Sequence, residues 1–132
     1  MTHKLVHQHL LVRAHVSKPM ETVEQSNAFL HELIKRAGMR TVIEPRSVIV
    51  TTPGNEGPTG TANLSTSHVA VHSWPQERLI QFDLYSCKCF DAHKVISILD
   101  PWDPIGYEAM VIMRDADGFK VTDHWAWRKS DQ

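Results

Sequence analysis

Residues Leu64–Gln76 read LSTSHVAVHSWPQ. The apolar positions alternate, which is the period of a half-buried strand. Yet the same run carries Ser65, Thr66, Ser67, His68, His72 and Ser73, more hydroxyl and imidazole than an ordinary sheet strand uses. Taken with the two residues ahead of it, ANLSTSHVAVHSW reads as one strand. RLIQFDLYSC (Arg78–Cys87) reads as the next, joined to it across Pro75-Gln76-Glu77.

Working outward, PGNEGPTG (Pro53–Gly60) is the strongest loop signal in the chain. RTVIEPRSVIVTT before it is a β-branched strand in which Pro45 marks a bulge or an edge. From His7 to Val16 the chain alternates again. His7, His9, Arg13 and His15 share one parity, and Leu10, Val12, Ala14 and Val16 share the other. A helix follows, with Ser17 as the expected N-cap and Pro19 near its first position. Val23, Leu30, Leu33, Ile34 and Ala37 form its apolar stripe, and Gly38 suits the position just past its end. FDAHKVISILD reads as a shorter helix capped by Asp91, with Pro101 beyond it. YEAMVIMRDADGFKVTDHWAWR reads as a hairpin turning at Asp115–Gly118. Strand, helix, three strands, helix, two strands is an α+β pattern. It predicts a two-layer sandwich, an antiparallel sheet with two helices on one face.

A length of 132 residues suits one domain, 1–132, with a core of its own. Lys and Arg number 14 against 15 Asp and Glu, a net charge of -1, which offers no basic footprint for nucleic acid. No apolar run is long enough to span a membrane, and the N-terminal MTHKLVHQHLLVRAHV has no signal-peptide core. Cys87 and Cys89 stand too close for an ordinary disulfide in an extended segment. Free thiols without a signal predict a reducing, cytoplasmic location.

Three chemistries compete for the polar strand. Ser67 with His72 suggests a nucleophile and its base, but no G-x-S-x-G elbow surrounds the serine and no acid is evident to orient the histidine. His68 and His72 share a strand face and could ligate a metal with Cys87 or Cys89. No compact ligand motif supports that, so no metal is expected. The third possibility is a buried polar strand whose hydroxyls are simply satisfied.

The arrangement says more than its parts. Pro58-Thr59-Gly60, Ser67-His68, His72-Ser73-Trp74-Pro75 and Ser86-Cys87 together resemble the bacterial and archaeal S-adenosylmethionine decarboxylases. The likeness is strong over about residues 5 to 100 and weak in the C-terminal hairpin. It implies a pyruvoyl enzyme of polyamine biosynthesis, made as a proenzyme. Ser67 would attack the Thr66 carbonyl, and the chain would break between Thr66 and Ser67. The new end would become a pyruvoyl cofactor that forms a Schiff base with the substrate amine and accepts its electrons. By the same resemblance, His72 takes the α-proton of the ester and Thr59 supplies a hydroxyl that assists processing. Cys87 protonates the carbanion after decarboxylation, while Trp74 and Gln76 lie at the substrate. The expected assembly is a homodimer of the processed unit.

Three positions depart from that family's pattern. Thr66 stands where it usually has Glu before the serine. Gln76 stands where it has the Glu that binds the ribose hydroxyls. Between Phe29 and Trp74 there is no Phe, Tyr or Trp to stack on adenine, a contact worth about 1–3 kcal/mol. S-adenosylmethionine, the family's substrate, is the leading one, and these departures make arginine or ornithine the alternative. An unprocessed, non-catalytic homologue that binds a partner is a further one. Ser67 and His72 have opposite parity, so in a regular strand they face opposite sides of the sheet.

Overall fold

The computed structural model describes residues 6–131; Met1–Leu5, the start of the segment read for a targeting signal, lie outside them. The element order is β1 (Val6–Val16), α1 (Val23–Ala37), β2 (Thr41–Val50), β3 (Gly57–Leu64), β4 (Ser67–Trp74), β5 (Leu79–Ser86), α2 (Ala92–Val95), β6 (Pro104–Asp115) and β7 (Gly118–Arg128). The strands form one antiparallel sheet in the order β2-β3-β4-β5-β1-β6-β7. The α+β two-layer expectation is borne out.

Alternation sorts each central strand into two faces. Leu10, Val12, Ala14 and Val16 of β1 join Val69 and Val71 of β4 and Ile80, Phe82 and Leu84 of β5 in the core. α1 closes over that face with Phe29, Leu30, Leu33 and Ile34. Phe29 meets Phe82 edge-on, with ring centroids 5.1 Å apart. Each such side chain buried stabilises by about 1.5–3 kcal/mol. Phe82 is therefore a core ring.

Three sequence expectations change. The run ANLSTSHVAVHSW is not one strand: Ser65 and Thr66 form a turn, and Leu64 pairs with Ser67. The loop signal Pro53–Gly60 is correspondingly shortened, since Gly57 already opens β3. Four strands, not three, thus lie between the helices. The break has a local cause: short hydroxyl side chains suit turns because they bond nearby backbone. Second, Thr22 and not Ser17 caps α1, in a capping box with Gln25. Ser17 instead donates its hydroxyl to Asp103, at 2.5 Å. Third, only Ala92–Val95 is α-helical after the Asp91 cap. The chain then tightens into a 3₁₀ helix, Ile96–Trp102, which contains Pro101 rather than ending before it. Proline has no N–H to close on Ser97, so the wider helical ladder cannot continue there. Pro45 behaves as expected, since β2 is an edge strand and its register shifts on either side of Ile43.

Candidate active site

The hydroxyls and imidazoles of Leu64–Gln76 are each accounted for by position. On the helix-covered face, Ser73 is buried and donates to the Met20 carbonyl oxygen at 2.7 Å. Ser67, also buried, begins β4 immediately after the exposed Ser65-Thr66 turn. Its Oγ accepts the Cys87 backbone N–H at 2.9 Å. That contact brings Ser67, with its neighbour Thr66, to Cys87, twenty residues further along the sequence. Hydrogen bonds from the side chains of Ser67, first, and Thr66 hold the Cys87 thiol below its ordinary pKa, against an opposing push from burial. Cys89 is exposed, and Cys87 is half-buried.

On the other face, His72 lies directly across from Thr59, whose Oγ1 is 3.1 Å from His72 Nδ1. Trp74 follows on the same side, with its ring 6.2 Å from the His72 ring. Its indole N–H donates to Asn55 Oδ1 at 3.1 Å. Gln76 is exposed in the short 3₁₀ turn Pro75–Glu77. Thr59, His72, Trp74 and Gln76 thus share one region.

The two groups do not meet within one chain. Ser67 and His72 are five residues apart on a strand, roughly 16 Å, and they face opposite sides. The parity problem visible in the sequence is therefore real.

Sequence reasoning passed over a third group. His9 of β1, Asp83 of β5 and His68 of β4 converge on the face that carries His72. His9 Nε2 lies 2.8 Å and His68 Nε2 3.4 Å from Asp83 Oδ2. Each residue had the right parity in its own strand, and the sequence joined β4 to β5, but nothing in it placed β1 beside β5. His9, Asp83, His72, Gln81, Arg13 and Glu108 line an open cleft of about 480 Å³ on this face.

A single antiparallel sheet backed by helices, with a serine–cysteine contact at a hairpin end and a threonine–histidine pair further along the same hairpin, defines a class of site. The S-adenosylmethionine decarboxylase family model matches residues 8–114, and the chain belongs to that family. A Clostridium botulinum S-adenosylmethionine decarboxylase proenzyme (strain Langeland) is 38% identical over 45 residues, which are 33% of this chain and 39% of that protein. The Carboxydothermus hydrogenoformans proenzyme is 28% identical over 80 residues, 61% of this chain and 57% of that one. The matched region thus spans well under two thirds of either relative. The crystal structure of the adenosylmethionine decarboxylase from Aquifex aeolicus superposes with a TM-score of 0.65 at 23% identity. It covers 83% of this chain and 90% of that one, a likeness of fold.

Proposed function

We propose that this protein is a self-processing, pyruvoyl-dependent decarboxylase acting on S-adenosylmethionine in polyamine biosynthesis. In this reading residues 1–132 form one domain, cut between Thr66 and Ser67. The observation that carries the proposal is the Ser67 hydroxyl at the end of an exposed turn, tied to Cys87. The residues fit the formation of the group. Ser67 Oγ attacks the Thr66 carbonyl carbon, and the amide becomes an ester with a free Ser67 amine. Removal of the Ser67 α-proton expels the Thr66 carboxylate and leaves dehydroalanine. Water then hydrolyses its imine tautomer, releasing ammonia and leaving the pyruvoyl end. That group supplies an electron sink for decarboxylation.

Cys87 stands beside the reacting end and serves as the proton donor to the α-carbon. The largest cause of its lowered pKa is the Ser67 hydroxyl, which processing removes. Its loss moves the thiol back up toward its ordinary value, which favours the protonated form that an acid needs. His72 is the base that removes the α-proton, with Thr59 holding its Nδ1. His72 cannot reach Ser67 of its own chain, so it serves the Ser67 end of a second copy. A two-fold pairing makes this reciprocal, because in such an interface each contact occurs twice. No helix among the described residues is long and apolar enough to cross a membrane, and a cytoplasmic location suits the proposed metabolism.

Intact-mass measurement of the purified protein tests the first step. Two fragments divided at Thr66–Ser67 are expected, with Ser67→Ala remaining whole. A single full-length species after long incubation sinks the catalytic reading and leaves the non-catalytic homologue. Arginine or ornithine is the second substrate reading, favoured by the exposed, neutral Gln76. Carbon dioxide release from each candidate by one processed preparation decides between them.

A further inference from the structure

We propose that His9, Asp83 and His68 form a binding site for a divalent transition-metal ion of the zinc class, on the open face of the sheet. The three side chains come from adjacent strands: His9 and His68 both lie across from Tyr85, and Asp83 sits two residues from Tyr85 with the same parity. Their ligand atoms, one imidazole nitrogen from each histidine and one carboxylate oxygen, all lie within 4.8 Å of one another.

The spacing suits an ion. Zinc holds nitrogen and oxygen ligands at about 2.0–2.2 Å, and tetrahedral geometry then sets neighbouring ligand atoms roughly 3.3 Å apart. The observed 2.8 Å and 3.4 Å to Asp83 Oδ2 bracket that value, and the two imidazole nitrogens, within 4.8 Å of each other, would close toward it as the ion seats. Two histidines and one carboxylate leave at least one coordination position for water or an exogenous ligand. His9 and Asp83 also line the open cleft, which provides that position with room and a route from solvent. The carboxylate neutralises part of the ion's charge. The three central strands hold the ligands in register, which limits the ordering cost of binding. The competing arrangement is a network in which both imidazoles donate to Asp83 and no ion enters.

This site is independent of the proposed self-cleavage, and its test does not use activity. The full-length protein, stripped of metal, is titrated with cobalt(II), and the visible absorption is followed. One equivalent should bind with the intense bands of a low-coordinate cobalt centre, and zinc should displace it. Zinc should also raise the melting temperature. His68→Gln, at a half-exposed side chain, and Asp83→Asn, which keeps the side chain's shape, should each weaken binding at least tenfold while circular dichroism stays native. His124→Ala, which removes a histidine paired with Glu108 elsewhere on the sheet, should leave binding unchanged. Absence of cobalt and zinc binding would overturn the proposal. So would binding that survives both His68→Gln and Asp83→Asn.

Discussion

Ser67 does two things to Cys87: its Oγ takes the cysteine's backbone N–H, and its hydroxyl hydrogen bond lowers the thiol's pKa. A lowered pKa means that the thiolate is favoured at lower pH than for a free cysteine. Removing the Ser67 hydroxyl should therefore raise the pH at which Cys87 becomes reactive. In a Cys89→Ser background, the alkylation rate of uncleaved protein against pH should shift upward in Ser67→Ala. An unchanged profile would mean that the contact does not act on the thiol. For turnover, Cys87→Ala should abolish decarboxylation and Cys89→Ala should not; the reverse result would refute the assignment of Cys87. Gln76 is the other telling residue. A hydrogen bond to a charged acceptor exceeds a neutral one by about 1 kcal/mol, so Gln76→Glu should lower KM for S-adenosylmethionine roughly fivefold. An unaltered KM would remove residue 76 from the substrate site.

At the scale of elements, the β3–β4 hairpin carries Thr59, the Thr66–Ser67 bond and His72 on one rigid pair. Its entry depends on Gly57, whose φ of 148° lies in a region that side chains rarely adopt. A β-carbon there would collide with the Ser73 backbone carbonyl oxygen and the Pro75 ring. Backbone cannot step aside as a flexible side chain can, so Gly57→Ala should destabilise the protein by roughly 2–4 kcal/mol. Thermal unfolding measures this, and an unchanged melting temperature would mean that the strand start can move freely. The helix packs against the same hairpin at Gly60, beneath the hydrogen-bonded hydroxyls of Ser26 and Ser47 (2.7 Å apart). Gly57 thus lets β3 lie close against the end of β4, and Gly60 lets α1 and β2 close on the hairpin.

For the whole molecule, the helices cover one face of the sheet and leave the other open. His72, Arg13, Gln81 and Glu108 lie across this open face, while Leu11, 38% exposed, and Val48, 62% exposed, add apolar surface. If His72 serves the Ser67 of a second copy, two defective chains can repair each other. Ser67→Ala protein retains His72, and His72→Ala protein retains Ser67. Co-expressed, they should yield cleaved His72→Ala chains, although neither variant cleaves alone. Failure of the mixture, with both variants folded and paired, would return His72 to its own chain's chemistry or remove it from processing.

The sequence alone determined the α+β class, the buried parity of β1, the Asp91 cap and the turn at Asp115–Gly118. Those features depend on neighbours within a few residues, where side-chain period and turn chemistry act. It also carried the resemblance, because Ser67-His68, His72-Ser73-Trp74-Pro75 and Ser86-Cys87 are local words at fixed spacing. Only the tertiary structure decided that Ser67 touches Cys87 while His72 does not touch Ser67, and that His9, Asp83 and His68 converge. Strand order and register are set by how distant apolar faces pack together. The alternation within a strand shows which way a side chain points, and the packing of the whole chain decides what it meets.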